Sequence, residues 1–305
     1  MQKEKTLLII PANDPEAGMI IKLAQAMGLS MKVLQQPHGA SLDLEKNLVQ
    51  EIKEGKWKEV VIVETPGPDT EKKIEDTGVS VHLIDHHHYT GLDRAHDPKT
   101  GAFLPSSLEQ FLSLFRFSDT RLHKLGFEPK IVRGIGIMDR GYIWALQNEG
   151  YSRREIKKVV ALSVELMKEM GKYDEKKEER REEVAKKVWE KRVAWKEFFV
   201  VRHASDLSVR SSLSLVIALE CKKRVPLILW EPKRGGGVIY VQESPHGMTL
   251  FEAFGGFTFG MDKNWGYKNE KGKKRIGLQE VKHLLQKQKT ARVGIPQCVC
   301  VFSKK

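Results

Sequence analysis

Short apolar runs alternate with amphipathic stretches along the first 90 residues, and this alternation limits the fold more than any other feature of the sequence. Four runs have the length of strands: residues 6–10, 31–34, 60–63 and 79–84. Residues 18–27 and 42–54 lie between them and carry apolar side chains near helical spacing. Such repetition predicts a parallel sheet covered by helices, in an α/β fold. Ligands of these sheets bind beyond the carboxyl ends of the strands.

The rest of the chain divides by composition. Residues 106–117 continue the helical pattern, with Ser106 or Ser107 as N-cap and Glu109 in the first turn. Residues 151–197 are rich in Lys and Glu and contain no proline, which predicts one or two solvated connecting helices. Strand-like and helical runs then recur. We therefore expect an N-terminal parallel-sheet domain over 1–150, a charged helical connector over 151–197, and a smaller C-terminal α/β domain over 198–305.

Composition excludes several classes of protein. The apolar runs are far shorter than the roughly 18 residues that a membrane span needs, and we expect no signal peptide because only a short, strand-like apolar run follows the first five residues. Three cysteines in 305 residues do not make a secreted disulfide framework, so we expect reduced thiols and a cytoplasmic location. Residues 262–305 carry 12 Lys and Arg against 3 Asp and Glu. This excess suggests an anionic partner such as nucleic acid, or else a solvated basic surface.

Polar residues cluster where predicted strands end. Asp14 and Glu16 follow the first run, Glu64 follows the third, and the segment Asp85-His86-His87-His88 follows the fourth. Asp139 follows a further apolar run at 135–138. Helix caps or turns would account for the single carboxylates. Four ionisable groups at the end of a buried strand are costly without a ligand or hydrogen-bond partners. Carboxylates and imidazoles at neighbouring strand ends can converge on one or two divalent ions.

Residues 81–87 (V-H-L-I-D-H-H) resemble the name-giving motif of the DHH phosphoesterase family. Residues 135–141 resemble its fourth motif, an apolar strand ending in a metal-binding aspartate, and Glu64 stands at the place of the second-motif aspartate. Residues 14–17 stand where the family has its first motif, and 254–256 lie near the glycine-rich loop of its C-terminal substrate domain. The resemblance covers nearly the whole chain and implies that RecJ-like exonucleases and nano-RNases are similar proteins.

The resemblance also implies roles for individual residues. The metal ligands would be Asp14, Glu16, Glu64, His86 and Asp139. Asp85, His86 and His87 would be the catalytic motif, with His87 contacting phosphate. The substrate-binding residues would be His87, His88, Gly255, Gly256 and Lys263. The implied cofactor is Mn²⁺, Mg²⁺ or another divalent metal, as one or two ions.

The sequence departs from the family pattern at several of these positions. Ala12 replaces the first-motif histidine, and glutamates at 16 and 64 replace aspartates. Residues 255–260 lack the usual loop histidine. By the family pattern, one metal would keep only Asp14 and Glu64 as ligands. The other would keep Glu16, Glu64, His86 and Asp139.

The favoured hypothesis is a metal-dependent phosphoesterase that hydrolyses phosphodiester or phosphomonoester bonds in short oligonucleotides or nucleotides. Water activated by the ions would attack phosphorus. The lysines around Lys263, together with Trp265 and Tyr267 as stacking platforms, would favour a nucleic-acid substrate, although Trp265 also suits a core. The alternatives are a degenerate member that binds nucleic acid or nucleotide without catalysis and a pyrophosphatase-like enzyme. The oligomeric state is open, with a homodimer among the alternatives, and no membrane partner is expected.

Overall fold

The computed structural model describes residues 3–36, 41–89, 91–221, 224–272 and 274–288. Lys273, Cys298, Cys300 and the last part of the basic stretch lie outside these ranges. The chain divides into two compact units. The first comprises Met1–His87 and Asp93–Tyr173, and the second comprises His88–Leu92 and Asp174–Lys305. The three-part division at 150 and 197 stays a prediction.

The first unit is built on a parallel sheet of four strands, as the alternation predicts. The strands are β1 (Thr6–Pro11), β2 (Ser30–Leu34), β3 (Glu59–Val63) and β4 (Ser80–Ile84), in the spatial order β2-β1-β3-β4. The central strands β1 and β3 are buried almost throughout because helices cover both faces. The strand order reverses between β1 and β3. The carboxyl edge at this point is where open α/β sheets bind ligands.

Seven helices described in the first unit complete its α/β arrangement. They are α1 (Pro15–Met27), α2 (Leu48–Glu54), α3 (Pro68–Glu75), α4 (Ser107–Leu114), α5 (Asp119–Lys124) and α6 (Pro129–Asn148), followed by α7 (Arg153–Glu169). Short 3-10 helices occupy Lys3–Lys5 and Leu42–Leu44, so the predicted helix over 42–54 is in fact two pieces. Ser106 caps α4 in a capping box with Glu109, as predicted.

The strand expected before Asp139 is wrong, because residues 135–138 lie inside helix α6. Pro129 occupies the first turn, where its missing N–H costs nothing. Ile131, Val132 and Ile135 follow at helical spacing and are buried. The β-branched run suits a strand by composition, but tertiary burial of this face selects the helix. The backbone is non-helical at Gly141 and Tyr142, directly after Asp139 and Arg140.

The second unit contains the long charged helix α8 (Glu175–Glu190) and a mixed sheet. Two strands of two residues each, β5 (His88–Tyr89) and β6 (Leu92–Asp93), come before this helix in the chain. The sheet strands are β7 (Val193–Trp195), β8 (Phe198–Arg202), β9 (Leu227–Glu231), β10 (Val238–Gln242), β11 (Phe257–Phe259) and β12 (Asn264–Lys268), in the order β11-β12-β10-β9-β8-β7. The helices are α9 (Arg210–Glu220), α10 (Gly247–Phe254) and α11 (Leu278–Lys287), with a 3-10 turn at Arg234–Gly236. Only β8 and β9 pair in parallel.

The aromatic residues of β12 belong to the core of the second unit and are not stacking platforms. Trp265 is fully buried, and its indole N–H donates to Gly255 O at 2.8 Å. Tyr267 is buried beside it, with ring centroids 6.1 Å apart, and its hydroxyl donates to Lys274 O. Alternation along β12 turns both rings to the same inward face. Neither ring is therefore available to a nucleic acid.

Two further observations concern the helices and the cysteines. No helix within the described residues is long and apolar enough to cross a bilayer. Cys221, the C-cap residue of α9, is disulfide-bonded, whereas the sequence suggested reduced thiols throughout. The cytoplasmic location stays a prediction.

Candidate metal centre

The loop after β1 supplies the first two carboxylates. Asp14 is the N-cap of α1, and its Oδ1 accepts the Ala17 N–H at 2.8 Å. Glu16 lies in the first turn of α1 and is almost fully buried. Its Oε1 accepts the Leu108 N–H at 2.9 Å, at the N-terminus of α4. One carboxylate oxygen of Glu16 is thereby anchored on a helix N-terminus, and Oε2 is left for other contacts.

The carboxylate of Glu64 is positioned by an unusual backbone. Glu64 comes directly after β3 with φ +47°, in the left-handed region that costs a non-glycine residue about 1–2 kcal/mol. Its N–H donates to Ile84 O at 3.0 Å and so continues the pairing with β4. This conformation places a buried glutamate at the carboxyl edge of the sheet. Strain held in a buried charged residue is typical of functional sites.

The segment after β4 is organised by the buried carboxylate of Asp85. Its Oδ1 accepts the backbone N–H groups of His86 at 2.8 Å and His87 at 3.0 Å, and it lies 2.9 Å from His87 Nδ1. The Gln110 side chain donates to Asp85 O at 2.7 Å. The contact with Asp85 through Nδ1 fixes the orientation of the His87 ring. Asp85 thus orients the histidine pair.

Asp139 reaches the site from helix α6, just before the break at Gly141 and Tyr142. Its Oδ2 lies 3.0 Å from His86 Nε2. The same nitrogen lies 3.3 Å from Glu64 Oε1 and 3.5 Å from Glu16 Oε2. Ligand atoms of Glu64, His86, His87 and Asp139 all lie within 4.8 Å of one another. Groups from three strand ends and one helix therefore converge on one point.

Several atoms at this point lack the hydrogen bonds that buried polar groups need. Within the described residues, Glu16 Oε2, Glu64 Oε1 and His86 Nε2 are buried without a hydrogen bond of acceptable geometry. Leaving one such group unsatisfied costs about 1–3 kcal/mol. Three of them facing each other, two being carboxylate oxygens, form an oxygen- and nitrogen-rich donor set. This set fits a divalent metal ion.

The charges of the site show the same need for a cation. Burial, together with the negative charges of Glu64 and Asp139, raises the pKa of Asp14 well above its usual value. Burial and the charge of Asp139 do the same to the pKa of Glu16. Burial also opposes the charged form of His86, but the close carboxylates of Asp139, Glu16 and Glu64 raise its pKa. The raised pKa values mean that Asp14, Glu16 and His86 tend to keep their protons, which reduces the negative charge of the site.

The two remaining groups of the site are shifted in opposite directions. Burial opposes ionisation of Glu64, yet the charge of His87 and the close approach of the His86 imidazole lower its pKa. Burial opposes the charge on His87, yet Glu64 and the hydrogen bond to Asp85 raise its pKa. Glu64 and His87 therefore attract each other across the site.

The four substrate-binding residues predicted besides His87 lie in the second unit. The ring of His88 contacts Phe251 edge-on, with centroids 5.5 Å apart. The N–H of Gly255 donates to Phe251 O at 2.7 Å, so this amide is not available to phosphate. Gly256 has φ +95°, and a Cβ there would lie 2.3 Å from Gly266 O. Lys263 is exposed.

Asn13 is a residue that sequence reasoning missed. Both polar atoms of its side-chain amide are buried without a hydrogen-bond partner among the described residues. It stands between Ala12, which replaces the family histidine, and Asp14. The sequence contains one indication of its role, namely that Asn13 directly precedes Asp14.

The fold and the cluster define a class: an α/β protein with a group of carboxylates and histidines at the carboxyl edge of a parallel sheet that could hold a metal ion. No protein-family model matches the sequence, and no curated protein matches it either. Among solved structures, an exopolyphosphatase-related protein from Bacteroides fragilis is 11% identical over 93% of this chain and 92% of its own, with a TM-score of 0.48.

Two further solved structures are similar over most of the chain. A pGpG-specific phosphodiesterase from Vibrio cholerae is 11% identical over 92% of this chain and 96% of its own, with a TM-score of 0.43. The exonuclease RecJ bound to manganese is 13% identical over 88% of this chain and 87% of its own, with a TM-score of 0.43. With scores this low, the chemistry of this chain has to be argued from its own residues.

Proposed function

We propose that this protein is a divalent-metal-dependent phosphoesterase that hydrolyses phosphodiester or phosphomonoester bonds in short oligonucleotides or nucleotides. The observation that carries the proposal is the convergence of Glu16, Glu64 and Asp139 on His86 Nε2, at 3.0–3.5 Å. Two of the carboxylate oxygens and the imidazole nitrogen lack hydrogen-bond partners within the described residues. Such a donor set is costly to maintain without a cation.

Each residue of the centre has a proposed task. Glu16, Glu64, His86 and Asp139 would hold the ion, with Asp14 beside them. A divalent ion in this position supplies Lewis-acid activation of water and neutralises charge on a phosphoryl group. His87 would donate from Nε2 to a phosphate oxygen, and the Asp85 carboxylate would keep the imidazole in that orientation.

We propose Mn²⁺ as the ion, because a mixed imidazole and carboxylate set suits Mn²⁺ better than Mg²⁺, which prefers oxygen ligands and its own water. A single ion is favoured over two. Asp14 Oδ1 is already engaged as the N-cap of α1, and Ala12 offers no ligand. The second set of ligands is therefore incomplete.

The proposed substrate class follows from charge. The chain has a formal net charge of +12, which favours an anionic substrate and accelerates its capture. Exposed Lys263 belongs to the basic stretch that we propose contacts the phosphate chain. We also propose that the protein acts in the cytoplasm and assembles as a homodimer.

A protein that binds nucleotide without cleaving it is the second candidate. The use of Asp14 as a helix cap favours it, since this leaves one ion position with few ligands. Longer glutamates at positions 16 and 64 also shift any ion relative to an aspartate site. A displacement of about 1 Å can cost about 100-fold in rate.

The test is Mn²⁺-dependent shortening of an end-labelled oligoribonucleotide, with pyrophosphate as a parallel substrate. His86→Ala and Asp139→Asn should abolish turnover and lower the Mn²⁺ content measured by mass spectrometry. Asp69→Asn is the matched control, because Asp69 is exposed in the first turn of α3. Asp85→Asn should retain Mn²⁺ and lose turnover, since Asp85 acts through His87.

The outcomes separate the candidates. Turnover that survives in His86→Ala would contradict the proposed centre. Tight Mn²⁺ binding by the native chain without turnover of any substrate would favour the non-catalytic binder. Phosphate release from pyrophosphate with intact oligonucleotides would assign a pyrophosphatase.

A further inference from the structure

The edge of the second-unit sheet exposes aromatic side chains that the proposed centre does not use. In β11, Phe257 is 43% exposed and Phe259 is partly exposed, whereas Thr258 between them is buried. Strand alternation therefore places both phenylalanines on the same face. Their ring centroids are 6.0 Å apart with the planes tilted by 32°. We call Phe257, Phe259, Tyr240 and Arg210 the β11 face.

The backbone is shaped to hold these rings on the surface. Gly266 of β12 lies opposite both Phe257 and Tyr240 in the sheet. A Cβ at Gly266 would lie 2.5 Å from Phe257 Cζ and 2.9 Å from Tyr240 Cδ1. The absence of a side chain lets the Phe257 ring lie across the strand and meet Tyr240 edge-on, with centroids 6.3 Å apart. A large apolar ring is thus held at the surface in a defined position.

Arg210, the first residue of α9, supplies a cation to this face. Its guanidinium carbon lies 4.9 Å from the Phe259 centroid and 5.5 Å from the Tyr240 centroid. The ion pairs described in this unit join Arg224 to Glu243 and Arg234 to Glu231, with two more inside α8, and none of those described includes Arg210. A guanidinium stacked on two rings keeps its charge and its donors for an anion.

Further positive charge surrounds the face. Arg234 donates to the Tyr240 hydroxyl at 2.8 Å, and exposed Lys268 lies on the same side of β12 as Gly266. An exposed aromatic ring beside cations matches a base and its phosphate better than it matches another protein surface. Bases stack on aromatic rings, and arginine contributes both stacking and charge.

We propose that the β11 face is a nucleobase-binding site, on which a base of a nucleotide or short oligonucleotide stacks against Phe257 while Arg210 binds an adjacent phosphate. This inference rests on the proposed function and deepens it, because it selects substrates that carry bases over inorganic polyphosphate. It replaces Trp265 and Tyr267, which are buried, with rings that a ligand can reach.

The experiment measures binding separately from cleavage. The probe is a hydrolysis-resistant trinucleotide ending in 2-aminopurine, titrated with the full-length chain in Mn²⁺. An abasic version of the same backbone and tripolyphosphate serve as competitors without bases. Phe257→Ala and Phe257→Leu should raise Kd for the trinucleotide about tenfold and abolish the fluorescence quenching, whereas Phe257→Tyr should restore both.

Matched controls isolate the base. Phe103→Ala removes a phenylalanine of similar exposure (39%) from the first unit and should leave binding unchanged. The affinity for the abasic backbone should stay the same in Phe257→Ala and fall in Arg210→Gln. Equal loss of abasic and base-carrying ligands in Phe257→Ala would overturn the proposal. A dimer that becomes monomeric in Phe257→Ala, without change in Kd, would instead assign the face to a second copy.

Failure of the two proposals can be told apart. If the protein cleaved oligonucleotides and its Kd for the trinucleotide were the same in Phe257→Ala, the proposed base site would be wrong and the proposed phosphoesterase function would stand. Base-dependent binding without cleavage would keep the site and support the non-catalytic candidate.

Discussion

Gly136 is the position at which one methyl group would disturb the metal centre without replacing a ligand. A Cβ there would lie 2.3 Å from Ser106 Oγ and 3.2 Å from Glu16 Oε1. Ser106 is fully buried, and its Oγ accepts the Glu109 N–H at 3.2 Å as the N-cap of α4. Gly136→Ala therefore forces the hydroxyl off its cap and moves Glu16 away from the Leu108 N–H.

The size of the effect follows from opposing contributions. Replacing a helical glycine by alanine gains about 1 kcal/mol, the lost cap costs about 1 kcal/mol, and overpacking costs about 1–3 kcal/mol. The free energy of unfolding should fall by about 1–3 kcal/mol. Displacing an outer support of a metal ligand lowers metal affinity about 10- to 100-fold.

The assay is urea unfolding with and without Mn²⁺ at a fixed concentration. At about 100 times Kd, Mn²⁺ stabilises the native chain by about 2.7 kcal/mol. A tenfold weaker site in Gly136→Ala should remove about 1.4 kcal/mol of this stabilisation. Gly134→Ala is the control, because its Cβ would lie 2.5 Å from Val159 Cγ2 and near no proposed ligand.

Both variants are overpacked, so their stabilities without metal can be similar. Only Gly136→Ala should lose part of its Mn²⁺ stabilisation. If Gly134→Ala lost as much, or if Gly136→Ala kept all of it, Glu16 would not be held for the metal by the α4 N-terminus.

Three further predictions concern the site, its protons and the second unit. Without metal, the free energy of unfolding of Glu64→Gly should be about 1 kcal/mol higher than that of Glu64→Ala, because glycine tolerates φ +47°. Equal free energies of unfolding would show that the backbone at this position is not strained. Mn²⁺ affinity should rise with pH in calorimetric titrations, and should go on rising above the ordinary titration ranges of glutamate and histidine, because the raised pKa values of Glu16 and His86 mean that binding must displace protons; a flat profile would exclude them as ligands. Asn269→Ala should cost about 3 kcal/mol in thermal unfolding, since both buried backbone groups of Ile276 lose their partner and Gly237 O keeps only the backbone N–H of residue 269; a loss near zero would show that the groups of Ile276 find other partners.

The parallel sheet could be predicted from the sequence because β1 and β3 are continuous apolar runs bounded by polar turns. The capping box of α4 could also be predicted, since Ser106 and Glu109 have the required spacing. Both signals are local. They need no knowledge of what packs against them.

The errors arose where packing decides. Residues 131–138 combine β-branched side chains with a spacing that suits either a helix or a strand, and only burial against the first unit selects the helix. Trp265 and Tyr267 stand among lysines in the sequence, but strand alternation separates them from those lysines by turning them inward. The anchoring of Glu16 by Leu108 joins positions 92 residues apart, and no local pattern encodes such a contact.

The distance along the chain between the proposed ligands has a consequence for how the protein matures. Glu16 and Asp139 are 123 positions apart, and both approach His86 Nε2 within 3.5 Å. The centre can form only when nearly the whole first unit has been synthesised and has closed this long loop, which slows folding. An ion bound there would stabilise the folded unit by mass action, because the ligands come together only after this loop has closed and the unfolded chain offers no such site. Metal supply would then govern how long the chain survives proteolysis in the cell, as well as what it catalyses.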